Sequence, residues 1–384
     1  MNDGRALVLS GSIGRGHDSV AEACLGALAR AGIGGDVLDC MGLLGDVGSR
    51  LGDAAFRWML TVPPLYDAVH FSQMRAGTTL AERGERAAAV RLVPRLREQL
   101  AAPPVDILLS VFATGAGAMG RLRPELPVTP TVVVCTDATA HRFWAHTGVD
   151  RYVVCSAMAA GTVRQYLPDA DIVLVPPPVR ASFFAAPERT QARRELDLDP
   201  EVPSVLLMAG GWGLAPLQGA AEALATSGHR VFAVAGGNEK LRRQLDATAS
   251  KIGGRAIGPG IEVFGFTDRI PLLMAAADVV VTSPGQTCHE ARVIGRPLVV
   301  LDVVPGHGRE NLLLELEHGG ALACTPHPQA VVRAVTAARR GIEPPAAPWP
   351  VADAREWERR FLSVLRDLLP AGHDARPEDR PVAV

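Results

Sequence analysis

"ALVLSGSIGRGHDSVAEACLGALARAG", residues 6–32, sets the reading of the whole chain. Ala6 to Ser10 is an apolar run that predicts a strand, and Gly11, Gly14 and Gly16 predict a loop. Beyond the loop, Val20, Ala23, Cys24, Ala27 and Leu28 recur at helical spacing. Glycines at such a junction let backbone pass close to a ligand, and the free N–H groups that open a helix attract anions and polarised oxygens. His17 stands at that point, although a histidine there more often caps a helix or bonds a loop than does chemistry. The order G-x-x-G-x-G differs from the G-x-G-x-x-G dinucleotide fingerprint, so Asp36 and Asp39 in the following "GDVLD" make only a weak dehydrogenase reading. A P-loop is excluded, because Lys240 and Lys251 are the only lysines and neither closes such a motif.

Outward from that stretch, the 384 residues give length for two to three domains, and 48% hydrophobic with 21% charged residues describes a globular protein. A net charge of -2 argues against a nucleic-acid surface. The six cysteines form no C-x-x-C pair and read as reduced core residues of a cytoplasmic protein. No signal-peptide pattern opens the chain, and no apolar window reaches the roughly 18 residues of a membrane span. A soluble protein, at most peripheral to a membrane, is expected.

Short β-like runs alternate with helical stretches: "ALVLS", "GDVLD", "DILLS", "TVVVCT", "RYVVC" and "DIVLV", then, after the proline-rich break from Pro176 to Pro203, "SVLLM", "HRVFAV", "IEVFGF", "DVVVT", "PLVVLD" and "ALACT". Two doubly wound α/β domains in tandem are expected, with ligands beyond the carboxyl ends of the strands. The expected division is 1–178, a linker 179–200, a second domain 201–345, a C-terminal helical segment 346–370 and a disordered tail 371–384. Residues 48–80 have another texture, mixing Phe56, Trp58, Tyr66 and Phe71 with arginine. They read either as helices covering a sheet edge or as an apolar acceptor groove able to touch lipid.

The densest stretch is "VFGFTDRIPLLMAAADVVVTSPGQTCHEARVIGRPLVVLDVVPGHGRENLLLEL", residues 263–316. Strand "DVVVT", turn "SPGQ" and helix "TCHEARVIG" again aim a helix N-terminus at a strand-end crevice, which suits a diphosphate. Glu290, within the first turn or so, can accept two hydrogen bonds from a ribose diol or simply complement the helix dipole.

The ordered set "GSIGRGH", "VCTDATAHRFWAHTGVDRYVVCS", "PPPVRASF", "AGGWG", "AGGNEKL", "VFGFTDR" and "TCHEA" resembles the GT-B fold glycosyltransferases. The resemblance is to the branch holding monogalactosyldiacylglycerol synthases, processive diacylglycerol glucosyltransferases and the lipid-linked N-acetylglucosaminyltransferase of peptidoglycan synthesis. It runs over roughly residues 5 to 345 and implies two Rossmann-like domains facing a cleft. It further implies a UDP-sugar donor, no metal or other cofactor, and a hydrophobic acceptor: a diacylglycerol, a polyprenyl intermediate or a natural product. On the donor side it implies Gly265 and Phe266 near the base, Gly210, Gly211 and Gly213 near the phosphates, Gln286 and Thr287 on the diphosphate, Glu290 on the ribose, His307 on a sugar hydroxyl or phosphate, and Asn311 among the donor-binding residues. On the acceptor side it implies Gly14, Gly16, His141 and Trp144, to which the acceptor-groove reading of residues 48–80 adds Trp58, Tyr66 and Phe71. One departure stands out: the family's P-G-Q-E-x-x-N becomes Pro305, Gly306, His307, Gly308, Arg309, Glu310 and Asn311, and Gly308 cannot replace a carboxylate.

An inverting transfer needs a base for the acceptor hydroxyl and stabilisation of the departing diphosphate. Imidazole suits the first task, so His17 is the leading candidate and Asp137 the second. A sugar-nucleotide epimerase of similar fold and a degenerate, non-catalytic nucleotide-sugar binder are the competing readings. The C-terminal helix, with Trp357, Phe361, Val364, Leu365 and Leu368 on one face, is placed by the same resemblance back on the first domain, or else packs on its own.

Overall fold

The structure is a computed structural model that describes residues 4–12, 15–43, 79–101, 103–208, 210, 216–253, 258–341 and 354–369. Two six-stranded parallel sheets organise it. The first holds β1 (Gly4–Ser10), β2 (Ile33–Asp39), β3 (Ile107–Ser110), β4 (Thr131–Cys135), β5 (Arg151–Val154) and β6 (Ile172–Leu174), in the order β2-β1-β3-β4-β5-β6. The second holds β7 (Ser204–Met208), β8 (Arg230–Val234), β9 (Gly260–Phe264), β10 (Val279–Thr282), β11 (Leu298–Leu301) and β12 (Ala321–Cys324), in the order β12-β11-β10-β7-β8-β9. Each of the twelve apolar runs picked out in the sequence forms one of these strands.

A parallel sheet is covered on both faces, and so its strands read as near-continuous apolar runs. β1 shows the consequence of the two-residue side-chain period. Leu7 and Leu9 join a core with Leu92, Leu96, Met119 and Trp144, whereas Ala6 and Val8 face Val20, Cys24 and Leu28 of the helix Gly16–Arg30. The second sheet is sandwiched likewise: Val205 and Leu207 pack with Leu217, Leu224 and Val335, and Leu206 packs with Phe183, Leu273, Met274 and Cys288. All six cysteines are free thiols, and five are buried.

The stretch 179–200 is built into the second domain, because Val179, Phe183, Ala192 and Leu198 sit in the core beside β7 and β10. The helix Ala354–Ser363 lies on the first domain, with Trp357, Phe361 and Leu365 buried against Val8 and Leu28. The Trp357 indole donates to the Pro176 carbonyl at 2.9 Å, and Arg151 pairs with Asp367 at 2.6 Å. No helix among the described residues is long and apolar enough to cross a membrane.

Sheet order reverses between β1 and β3 in the first sheet and between β7 and β10 in the second. At such switch points the loops leave in opposite directions and open a crevice beyond the strand ends.

Candidate active site

His17 lies at the first of these crevices, as the second residue of the helix Gly16–Arg30. Its Nδ1 lies 2.8 Å from the carbonyl oxygen of Val111, the residue after β3. A carbonyl only accepts, so Nδ1 carries the hydrogen, and in the neutral ring Nε2 then holds the lone pair that a general base requires. The ring packs edge-on against Phe112 at 5.2 Å and lies 6.5 Å from the Trp144 ring. Trp144 is fully buried and donates its indole N–H to Asp137 at 3.1 Å. His141 is also buried, with its ring 6.2 Å from that of Trp144.

The loop before His17 is fastened from the side. Ser10 donates to Asp18 at 2.7 Å, tying the end of β1 to the first turn of the helix. Asp39 accepts from the backbone and hydroxyl of Ser12, at 3.1 and 2.8 Å, and from the N–H groups of Met41 and Gly42. Its carboxylate is spent on protein donors, and Asp36 pairs with Arg5 at 3.2 Å, so neither acid is set to hold a ribose.

The second crevice faces the first. Gly285 begins the helix Gln286–Val293 at φ 144, a backbone that favours glycine, and a Cβ on Gly16 would lie 3.8 Å from the Gln286 Cβ. Two helix N-termini thus meet across the cleft, bringing free N–H groups to one place. Gly210, after β7, has φ +71 and lies close to Ser283 after β10. Thr287 is half-buried in the first turn of the helix, and Gln286 donates through Nε2 to the Pro178 carbonyl at 2.6 Å.

Glu290 is on the second turn rather than the first, and it is buried. Burial pushes its carboxyl up to about 8, opposed by the Arg180 guanidinium 4.0 Å away. A carboxyl protonated near neutrality donates one hydrogen bond and accepts another, which suits a vicinal diol as well as a carboxylate does. Arg180 also reaches Glu22 of the first domain at 3.4 Å and lies over the Phe183 ring. No local pattern singles it out, although it lies within "PPPVRASF". Phe266, after β9, is 68% exposed, and the Arg15 guanidinium of the first domain sits 4.9 Å from its ring centroid. Gly265 lies beside the Arg242 guanidinium.

At the end of β11, Asp302, Val304, Arg309, Pro216 and Pro326 line a cavity of about 270 Å³. His307 opens the adjoining helix His307–Glu317. Asn311 on that helix bonds to the first domain instead of standing open, its Oδ1 accepting from the Ala138 N–H at 2.8 Å. Gly14, Gly211, Gly213, Trp58, Tyr66, Phe71 and the C-terminal tail lie outside the described residues. Among the described residues no group of three or more His, Cys, Asp or Glu is arranged to hold a metal ion.

Comparison with known proteins gives this geometry a setting. Residues 79–172 match the model of the monogalactosyldiacylglycerol (MGDG) synthase family. A probable chloroplastic monogalactosyldiacylglycerol synthase 2 of Oryza sativa subsp. japonica is 30% identical over 209 residues, covering 51% of this chain and 43% of that protein. A processive diacylglycerol beta-glucosyltransferase of Bacillus licheniformis is 29% identical over 231 residues, covering 58% of this chain and 57% of that protein. The chain thus spans about half the length of the curated relatives it matches. Among solved structures, a putative UDP-N-acetylglucosamine 2-epimerase from Listeria monocytogenes superposes with TM-score 0.61 at 16% identity, over 100% of both chains. MurG of Acinetobacter baumannii superposes with TM-score 0.52 at 15% identity, over 88% of this chain and 95% of that one. Residues 79–172 are thus similar to the monogalactosyldiacylglycerol synthase family, and the chain as a whole has the two-sheet fold of solved GT-B structures such as MurG.

Proposed function

We propose that this protein is an inverting glycosyltransferase that moves a hexose from a UDP-sugar to a hydroxyl of a lipid acceptor of the diacylglycerol class. The observation that carries the reading is the His17 Nδ1 contact with the Val111 carbonyl, which in the neutral ring leaves Nε2 as the basic nitrogen at a switch-point crevice opposite the helix Gln286–Val293. The named activities of the rice and bacillus relatives support the acceptor class.

In the reaction, Nε2 of His17 takes the acceptor hydroxyl proton as that oxygen attacks the anomeric carbon. The bond from that carbon to the diphosphate breaks, and UDP leaves with its electron pair. The N–H groups opening the helix Gln286–Val293 stabilise the developing charge. Glu290 holds the ribose, Phe266 lies by the base, and His307 by the sugar. Asp137, fixed by Trp144, is the second polar group on the acceptor side.

Thermal unfolding with UDP, GDP, TDP and NAD tests the donor half, with Glu290→Ala alongside. A rise specific to UDP and lost in the variant supports the reading by linkage, and a response to NAD alone contradicts it. Incubation with UDP-sugar and no acceptor separates transfer from epimerisation, which would interconvert the donor by itself.

A further inference from the structure

Glu310 and Asn311, neighbours in the helix His307–Glu317, both reach the turn that follows β4 in the other domain. Asn311 Oδ1 accepts from the Ala138 N–H at 2.8 Å, and the Glu310 carboxylate accepts from the Thr139 hydroxyl. The same turn is held from behind, where Ser156 donates to the Ala138 carbonyl at 2.8 Å and the Ala140 N–H donates to Thr162 at 2.9 Å. Ala138, Thr139 and Ala140 are all buried, so a lost acceptor on the front side leaves a donor unsatisfied.

The turn begins at Asp137, whose carboxylate accepts from Trp144, and the Trp144 ring stands 6.5 Å from that of His17. Two side chains of the second domain therefore grip the segment that carries Asp137 in the first. They follow His307 and Gly308, where this chain departs from the pattern it resembles, and the Asn311 side-chain oxygen is engaged by the other domain.

We propose that Glu310 and Asn311 are positioning residues that couple closure of the two domains to the placement of Asp137 and Trp144 against His17. The inference rests on the glycosyl-transfer reading. When the domains part, the Ala138 N–H and the Thr139 hydroxyl lose their partners and the turn loses its front support. Closure restores both bonds and assembles the acceptor side. Turnover then depends on the latch, whereas UDP binding, made by the second domain, does not.

The test compares Thr139→Val, which is isosteric but has no hydroxyl, with Thr139→Ser, and adds Asn311→Leu. Each is read by UDP titration calorimetry, by small-angle X-ray scattering, and by turnover of UDP-glucose with diacylglycerol in detergent micelles. Thr139→Val and Asn311→Leu are expected to lower kcat by about tenfold or more, to leave UDP affinity within about twofold, and to raise the radius of gyration. Thr139→Ser is expected to restore wild-type values. UDP affinity falling in step with kcat at unchanged scattering makes Asn311 a donor ligand and overturns the proposal, as does a variant that changes neither kcat nor scattering. If the wild-type protein transfers no sugar, scattering decides alone: an increase in the variants supports the latch while the transfer reading fails, and no increase overturns the latch too.

Discussion

A Cβ placed on Gly308 would lie 2.4 Å from the Cβ of Val304, closer than real carbon atoms approach. Gly308 is buried in the first turn of the helix His307–Glu317, where the related pattern has a glutamate. Val304 fills the space that a side chain at position 308 would enter. Gly308→Glu alone is expected to destabilise the protein by about 1–3 kcal/mol, as overpacking of a filled site does. Adding Val304→Gly, which removes the Cβ at 2.4 Å along with the methyl groups, is expected to recover part of that loss. Urea unfolding of the single and double variants measures both, and additive effects would show that the two positions are independent.

Glu290 gives a pH dependence with a definite sign. Burial raises its carboxyl from an ordinary 4.5 to about 8 in the folded protein. Between those values the folded chain holds a proton that the unfolded chain has lost, so stability falls as pH rises from about 4.5 and levels off above about 8. Glu290→Gln removes this titration. It is expected to match the wild type near pH 4.5 and to exceed it at pH 9 by a few kcal/mol at most, at roughly 1.4 kcal/mol for each tenfold difference in proton affinity between the folded and unfolded chain. Chemical denaturation at the two pH values measures the difference.

Arg292 and Glu315 form a buried pair, with contacts of 3.1 and 2.7 Å, that ties the helix Gln286–Val293 to the helix His307–Glu317. Burial pushes the Glu315 carboxyl up while the Arg292 guanidinium opposes it, and the nearby His318 is pushed down to about 4 by its own burial. Glu315→Ala leaves a buried guanidinium without its partner and is expected to cost about 3–5 kcal/mol. Glu315→Ala with Arg292→Met is expected to be more stable than Glu315→Ala alone, by the same denaturation measurement.

Most of the fold was legible in the sequence because parallel strands buried on both faces must be apolar throughout, as Val279 to Val281 are, and because turn glycines and prolines separate them. His17 could be singled out because a glycine loop, a strand end and a helix start coincide there. Its partner could not: Val111 offers a backbone carbonyl 94 residues away, and no side-chain type marks a carbonyl. Arg180 and Thr139 escaped for a related reason, since each acts between domains whose approach no local pattern records. Asn311 and Gln286 carried the right chemistry for a donor ligand, yet hydrogen-bonding residues at a cleft serve equally to fasten its walls, and here Asn311 bonds Ala138 and Gln286 bonds Pro178.

The central claim is that His17 Nε2 removes the acceptor proton in a UDP-sugar-dependent transfer. The most direct measurement is transfer from UDP-glucose or UDP-galactose to diacylglycerol by wild type and His17→Ala, with UDP affinity measured on the same preparations. A glycosyl-diacylglycerol product of inverted configuration, reduced about a hundredfold or more in the variant while UDP affinity holds, is the predicted result. Equal transfer by the two proteins would contradict the assignment of His17, and UDP affinity lost with His17 would contradict its place on the acceptor side.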